Sequence, residues 1–263
     1  MVQRISPNIS RTAELIRKSG VWDLALIVAA FLLYYIVRGS VVDRATEATS
    51  RAIRLVELEQ RLGLFWEGQL QAWVMSSELL VKLFNGIYVY AHFPLVAAIG
   101  LWLFFFHRNN YVFFRNAFLI SGAIGLIMFN LFPTAPPRLL PWPYGPVDTM
   151  AAFSRINYDI QPAAFVNHYA ALPSLHFGWN LLLGLAVVWS TRNIVARTFG
   201  AVMPIAMGLA VVVTANHFIL DVLLGTVVAL FGLGLAVLLE LYVGRILARL
   251  ARTLFRRAEP TGV

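Results

Sequence analysis

The sequence has no cysteine and few charged residues, which make up 13% of its 263 positions. The absence of cysteine excludes a disulfide framework and a thiolate metal site. Soluble domains have about 25% charged residues, whereas 59% of this chain is hydrophobic. A water-soluble fold is therefore disfavoured, and a membrane protein is expected.

The net charge of +8 could indicate nucleic-acid binding, but the placement of the basic residues argues against it. Thirteen of the 21 lysines and arginines lie in four short patches that flank apolar runs: 4–18, 108–115, 192–197 and 245–257. This distribution is typical of the cytoplasmic loops of membrane proteins. We therefore expect all four patches, and with them both termini, on the cytoplasmic side.

Apolar runs of about 20 residues can cross a membrane as helices. Six such runs predict an all-α, polytopic fold with six transmembrane helices: Val21–Val42, Leu79–Phe106, Val112–Phe132, Ser174–Ser190, Phe199–Thr214 and Phe218–Leu241. The run 79–106 is long and contains Pro94, but only a single crossing there puts all four basic patches on one side. No cleavage site follows the first run, so we expect it to be retained.

This topology divides the chain into four regions. The regions are 1–42 (N-terminus and first helix), 43–78 (outer segment), 79–241 (a catalytic membrane core of four to six helices, with the outer loop 133–171) and 242–263 (basic cytoplasmic tail). The outer loop holds seven of the twelve prolines and is not expected to be a regular helix.

The segment 43–78 has the pattern of an amphipathic helix. Glu47/Arg51 and Glu57/Arg61 are opposite charges one helical turn apart. An opposing apolar face would consist of Ala48, Ala52, Leu55, Val56 and Leu62. The pattern predicts either an interfacial amphipathic helix or a solvated helix packed on the bundle.

Ionisable residues at membrane depth are costly and so indicate function. Three clusters lie at helix ends on the predicted outer face: TAPPR at 134–138, LPSLH at 172–176 and HFILD at 217–221. His217 and Asp221 are four residues apart and share a helix face. The carboxylate could therefore fix the tautomer of a histidine that acts as a base or nucleophile. On this cluster alone, a buried His–Asp pair that hydrogen-bonds internally and has no catalytic role is equally expected.

The other two clusters suit a phosphate. Ser174 and the free N–H groups of the first helical turn would form an anion site, with His176 on the same turn. Two prolines stiffen the chain before Arg138, whose guanidinium can bind two phosphate oxygens. Taken singly, His176 is more often structural and Arg138 could be an interfacial arginine. Together, the three clusters predict a phosphoryl-transfer site.

These residues resemble the motifs of the type 2 phosphatidic acid phosphatase superfamily, which are KxxxxxxRP, PSGH and SRxxxxxHxxxD on a six-helix core. Here they read NLFPTAPPRLLP (130–141), ALPSLHFGW (171–179) and VVVTANHFILD (211–221). The resemblance covers about residues 75–240. It implies that His217 forms a phosphohistidine and is oriented by Asp221. It also implies that His176 protonates the leaving oxygen and then activates the acceptor, while Arg138 binds the phosphoryl oxygens. No metal or other cofactor is implied.

Three positions depart from the family motifs. Leu131 stands in place of the lysine, Val211 in place of the arginine and Leu175 in place of the glycine of PSGH. The TAPPR and PSLH forms are similar to those of the inositol phosphotransferase branch, which includes inositol phosphorylceramide synthases. Fewer cations suit a phosphodiester, with one negative charge, better than a monoester, with nearly two. Lys82 or Arg155 could restore the lost charge.

We therefore expect an integral enzyme of the cell membrane that acts on a lipid phosphate or phospholipid from its extracytoplasmic face. The reaction would be that of a lipid phosphatase or of a head-group phosphotransferase, for which a polyol such as inositol is a candidate acceptor. Further candidates for the pocket lining are Asn85, Tyr88 and His92 on one helix face, and His168 and Tyr169 before the second motif. For the first three, polar contacts between helices are the favoured alternative.

Three other readings are weaker. A metal hydrolase could use His168, His176, His217 and Asp221, but no HExxH or comparable ligand spacing is present. Haloperoxidases with bound vanadate share the motif architecture but are soluble. A transporter or binding protein for anions or lipid phosphates, without catalysis, is the main alternative, although no internal repeat is present.

Overall fold

The computed structural model describes residues 20–39, 44–141, 144–153 and 169–256. Within these ranges the regular structure is helical, and an isolated parallel bridge joins Thr134 to Ala170. The helices are α1 (Val21–Gly39), α2 (Ala45–Leu62), α3 (Glu67–Met75), α4 (Glu78–Phe106), α5 (Arg108–Leu131), α6 (Thr149–Phe153), α7 (Leu175–Ser190), α8 (Ile194–Val213) and α9 (Ile219–Arg256). The predicted all-α fold is confirmed.

Four helices in the described residues are long and apolar enough to span a membrane: α4, α5, α8 and the part Ile219–Tyr242 of α9. The helix α7 and the apolar part of α1, Val21–Ala30, are shorter. Large apolar side chains such as Phe106 and Trp189 are exposed on these helices, as expected of a lipid-facing surface. The chain is a polytopic membrane protein, and the count of six crossings stays a prediction.

The helix α4 is one continuous span, in agreement with a single crossing. Its two α-helical segments, Glu78–Gly86 and His92–Phe106, are joined by a π-helical turn at Ile87–Ala91. Pro94 has no N–H for the carbonyl group one turn earlier, and the π turn lies where that hydrogen bond is missing. The chain is therefore irregular immediately before His92.

The bundle is centred on α7, which contacts α4, α5, α8 and α9. Glycines allow α7 and α9 to meet backbone to backbone. A Cβ atom on Gly178 would lie 2.8 Å from the carbonyl oxygen of Gly225, and Ser174 N–H donates to the carbonyl oxygen of Asp221 at 2.9 Å. The close approach brings together the helix ends that carry the two histidine motifs.

An ion-pair cluster joins α1 to α5 at the end of the bundle opposite the histidine motifs. Asp23 is 3% exposed, and its carboxylate contacts Arg108 at 2.6 Å and also Arg115. Both arginines belong to a basic patch that was predicted to be cytoplasmic. The cluster ties the first apolar helix to the core.

Residues 44–78 of the outer segment form α2, α3 and the first residue of α4. Ala48, Ala52 and Val56 are buried against the outer loop and Phe218, so α2 packs on the bundle as in the second of the two predicted arrangements. The predicted pair Glu47–Arg51 is present at 2.7 Å. Leu62 was assigned to the apolar face but is 56% exposed, because α2 ends there at the left-handed Gly63.

Several other details differ from the prediction; α8, for example, begins at Ile194 instead of Phe199. The outer loop contains the short helix α6 and a 3₁₀ turn at Pro137–Leu139. The last helix continues to Arg256 instead of ending near Leu241, because the tail is rich in Leu, Ala and Arg and contains no proline before Pro260. The basic residues of the tail up to Arg256 therefore extend a helix.

Candidate active site

His217 lies in the loop 214–218 between α8 and α9. The loop is tight, since the N–H groups of Asn216 and His217 both donate to the carbonyl oxygen of Val211 at 3.0 Å. Ala215 has a φ of 58°, a left-handed conformation that costs energy in a residue other than glycine. Such conformations are most often found at functional sites.

The Nδ1 atom of His217 faces two acceptors. It lies 2.8 Å from the carbonyl oxygen of Ala171 and 3.4 Å from Oδ2 of Asp221. Since both partners only accept, Nδ1 carries the proton and Nε2 is the basic nitrogen. The predicted pairing with Asp221 is present, but the Ala171 carbonyl is the nearer partner.

The environment of His217 keeps the ring neutral. The side chain is 5% exposed, and burial lowers its pKa to about 3, with a further lowering by the charge of Arg138. The hydrogen bond to Ala171 opposes this shift without reversing it. A neutral imidazole with a free Nε2 is the form that a nucleophile requires.

His176 lies in the first turn of α7, opposite His217. The centroids of the two rings are 6.0 Å apart. Tyr88 and His92 of α4 flank His176, with ring centroids at 5.0 and 4.5 Å. Two of the three residues predicted on one face of α4 are therefore next to a catalytic candidate.

Asn180 links His92 to the backbone of His176. Its Nδ2 atom donates to the carbonyl oxygen of His176 at 2.7 Å and lies 2.8 Å from Nδ1 of His92. Because an amide nitrogen only donates, Nδ1 of His92 is the acceptor and its Nε2 carries the proton. This arrangement fixes the tautomer of His92 beside His176.

Arg138 lies on the 3₁₀ turn of the outer loop and is anchored to the histidine loop. The backbone N–H of Arg138 donates to the carbonyl oxygen of Ala215 at 3.0 Å, and Nη1 of its guanidinium donates to Oδ1 of Asn216 at 2.7 Å. Its Nε lies 3.8 Å from Oδ2 of Asp148. The guanidinium is thereby held beside His217, as the TAPPR motif predicts.

Ser174 is fully buried and caps α7. Its Oγ accepts from the N–H of Phe177 at 3.4 Å, which satisfies one of the free N–H groups of the first turn. The side chain is thus engaged in starting the helix that carries His176. Its predicted contact with phosphate stays a prediction.

The remaining candidates have different positions. Asn85 exchanges hydrogen bonds with Thr149 of α6 and so connects α4 to the outer loop. Tyr169 accepts through its carbonyl oxygen from Thr134 N–H at 2.9 Å. Lys82 pairs with Glu78 at 2.5 Å and is exposed, so it does not replace the missing cations. His168 and Arg155 lie outside the described residues.

Several residues of the site were not predicted from the sequence. Asn216 and Asn180 are the lone amide side chains in apolar stretches near the predicted histidines. A lone polar residue in such a stretch indicates a hydrogen bond between helices, and this pattern could have identified both residues. Among the described residues, no group of three His, Asp or Glu side chains is arranged to hold a metal ion; His168 is not among them.

Comparison with known proteins identifies the family. Residues 53–235, more than half of the chain, match the model of the PAP2 superfamily. The chain belongs to the PAP2 superfamily. The matched range includes both catalytic histidine candidates and Arg138, so the resemblance inferred from the three motifs is confirmed.

A curated relative of this PAP2 protein is the phosphoinositol dihydroceramide synthase of Bacteroides thetaiotaomicron. The two sequences are 29% identical over 167 residues, which cover 58% of this chain and 54% of the relative. The chain thus spans about half the length of the curated relative that it matches. No solved structure matches the chain.

Proposed function

We propose that this PAP2 protein is an integral-membrane enzyme that transfers a phosphoryl-containing group from a lipid through a covalent intermediate on His217. Family membership supports a lipid phosphatase or phosphotransferase. The observation that carries the proposal is the pairing of His217, held through Nδ1, with His176, whose ring centroid is 6.0 Å away. Arg138 is anchored next to the same loop.

In the first step, the lone pair of His217 Nε2 attacks phosphorus, and the bond from phosphorus to the leaving oxygen breaks. His176, in its protonated imidazolium form, gives a proton to that oxygen, which departs as an alcohol, and His176 becomes neutral. The positive charge that develops on the His217 ring is stabilised through Nδ1 by Asp221 and the Ala171 carbonyl. Arg138 balances the negative charge on the phosphoryl oxygens.

In the second step, His176 removes a proton from water or an alcohol. The oxygen attacks phosphorus, the bond from phosphorus to Nε2 breaks, and His217 returns to its neutral form. Water as acceptor gives a phosphatase and an alcohol gives a phosphotransferase. The two reactions therefore share every residue and differ in which acceptor reaches the phosphohistidine.

The charge of the site favours a phosphodiester. Leu131 is exposed and Val211 is fully buried, so neither supplies the cation that the family motifs have there. Lys82 is engaged with Glu78. With Arg138 as the cation beside His217 among the described residues, the single charge of a diester is better matched than the nearly two charges of a monoester.

The name of the relative suggests which head group and acceptor to test. By its name, the relative synthesises a lipid in which a phosphoinositol group is attached to dihydroceramide. On this chain, we propose a phosphoinositol lipid as donor and the hydroxyl group of a ceramide-type lipid, or a free polyol such as inositol, as acceptor. We propose that both lipids enter the site from the bilayer, between helices.

We also propose that the site faces the extracytoplasmic side of the membrane, with both termini in the cytoplasm. The motif-bearing ends of α7, α8 and α9 meet at one end of the bundle, and the cluster of Asp23, Arg108 and Arg115 lies at another. The basic residues of that cluster favour the cytoplasmic side.

The test uses purified protein in lipid nanodiscs with phosphatidic acid or phosphatidylinositol as donor, each with and without inositol and dihydroceramide. Free phosphate and new lipids are measured together. We expect a new phosphoinositol lipid from phosphatidylinositol and dihydroceramide, slow release of phosphate from phosphatidic acid, and full activity in chelator. His217→Ala should abolish turnover while lipid binding is retained, whereas His107→Ala, which alters a histidine packed on Trp102, should be active.

Each alternative predicts a different result. A strong preference for phosphatidic acid contradicts the diester donor, and loss of activity in chelator favours a metal hydrolase. Lipid binding without turnover of any lipid favours a transporter or binding protein. Turnover that survives in His217→Ala excludes the proposed intermediate.

A further inference from the structure

Side chains from the outer segment hold the loop that carries His217. We define the outer clasp as Glu59 of α2 together with Glu67 and Gln71 of α3. The three side chains are 0%, 1% and 4% exposed, although they belong to a segment with many solvated charges. Each of them is hydrogen-bonded to backbone groups at an end of the loop 214–218 or in the adjoining outer loop.

The first turn of α9 is capped by this clasp. The N–H groups at the start of a helix have no partner within the helix, and Phe218, at the cap position, has no side-chain acceptor. Oε1 of Glu67 accepts from Ile219 N–H at 2.9 Å, and Oε1 of Glu59 accepts from Leu220 N–H at 2.7 Å. Asp221 accepts from Phe218 N–H at 2.8 Å. Three consecutive N–H groups are therefore bound by carboxyl groups.

Gln71 binds the other end of the same loop. Its Nε2 donates to the carbonyl oxygen of Val213, the last residue of α8, at 2.9 Å. The same amide group exchanges hydrogen bonds with the backbone of Val147, at 2.7 and 2.8 Å. The clasp thus fixes the loop of His217 on both sides and also the outer loop next to Asp148.

The buried carboxyl groups of Glu59, Glu67 and Asp221 cannot all be charged. A helix N-terminus supplies about half a positive charge, and burial of uncompensated carboxylates is costly. The second oxygens of Glu59 and Glu67 are buried and bond to no other described group, and the two carboxyl groups face each other. Burial, followed by the Glu67 side chain, raises the pKa of Glu59 to about 9. A proton between the two carboxyl groups satisfies both second oxygens.

We propose that Glu59 and Glu67 are positioning residues of the active site: they share one proton and, with Gln71, hold the His217 loop at its distance from His176. We assign neither side chain a contact with the phosphoryl group. The inference rests on the proposed role of His217, but the capping contacts can be measured without turnover.

Substitution by glutamine separates this role from a general need for burial. In Glu59→Gln, Oε1 can still accept from Leu220 N–H while Nε2 donates to Glu67, as the shared proton did. The double variant Glu59→Gln with Glu67→Gln places two amide donors against each other. Glu59→Ala and Glu67→Ala each leave an N–H group of α9 without a cap. Glu57→Ala is the matched control, since Glu57 lies on the exposed side of the same helix.

The first measurement is hydrogen–deuterium exchange of the amides at 219 and 220 in nanodiscs. We expect exchange about fivefold faster in Glu59→Ala and Glu67→Ala, since losing a cap typically costs about 1 kcal/mol, and unchanged exchange in Glu57→Ala and Glu59→Gln. The second is steady-state kinetics on folded protein with phosphatidylinositol and dihydroceramide. We expect kcat to fall about tenfold or more in both alanine variants and in the double glutamine variant, with KM unchanged and Glu59→Gln close to wild type.

Unchanged exchange in both alanine variants overturns the capping contacts. Faster exchange with an unchanged kcat overturns the positioning role and leaves a purely structural one. If the wild-type protein turns over none of the lipids, the proposed function fails, and affinity for orthovanadate replaces kcat as the readout of the phosphoryl site. Weaker vanadate binding by the alanine variants then supports positioning, whereas equal binding, or none by the wild type, overturns it.

Discussion

The contact of α7 with α9 gives the sharpest prediction on geometry. Gly178 lies two residues after His176, and a Cβ atom added there would be 2.8 Å from the carbonyl oxygen of Gly225, four residues after Asp221. Ordinary contact begins at 3.4 Å, so Gly178→Ala must separate the two helices by about 0.6 Å. Backbone on the far side leaves no flexible side chain to move aside.

That separation acts on the distance between His176 and the loop of His217. A displacement of about 1 Å can cost about a hundredfold in rate, so we expect kcat to fall about tenfold in Gly178→Ala. Turnover is measured with the lipid panel described above. Gly234→Ala is the control, because its Cβ atom meets nothing within 4 Å; it should be fully active and slightly more stable, by about 0.5–1 kcal/mol. A Gly178→Ala enzyme with wild-type kcat refutes the argument from helix spacing.

Two further predictions concern the polar groups around the loop. Asn216→Ala removes the acceptor of Arg138 Nη1; a hydrogen bond to a charged group is worth about 1.5–3 kcal/mol, so kcat/KM should fall about ten- to a hundredfold, and an unchanged value contradicts the anchoring role. Glu59 holds its proton more tightly when folded, since its pKa is raised from 4.5 to about 9 by burial and Glu67, with a smaller contribution from Asp221. Stability from this group is therefore complete below about pH 4.5 and is lost as the pH rises towards 9. As the pH rises from about 7.5 to 9, we expect the thermal unfolding midpoint to decrease, and to decrease less in Glu59→Gln; in this range His217 is almost entirely neutral in the unfolded chain as well. Equal slopes contradict the shared proton.

Most of the membrane fold follows from the sequence, because its determinants are local. The apolar runs predict the spans, and α4 is continuous despite Pro94. His217, Asp221, His176 and Arg138 are brought together, since motifs at helix ends on one side of a bundle must meet. Their catalytic roles stay predictions until turnover is measured.

The parts that sequence did not predict depend on long-range contacts. Glu59 and Glu67 read as ordinary charges of an amphipathic segment, and only packing against a helix about 150 residues later explains their burial.

The clasp also has a consequence for the biogenesis of the protein. Glu67 precedes its partner Ile219 by 152 residues, and Glu59 precedes Leu220 by 161. During synthesis, the two glutamates therefore emerge long before the helix that they cap, and they remain hydrated or protonated until α9 is inserted. The loop that carries His217 is completed only when α9 meets α2 and α3, so a nascent chain that ends before residue 219 contains most of the core but not the assembled loop.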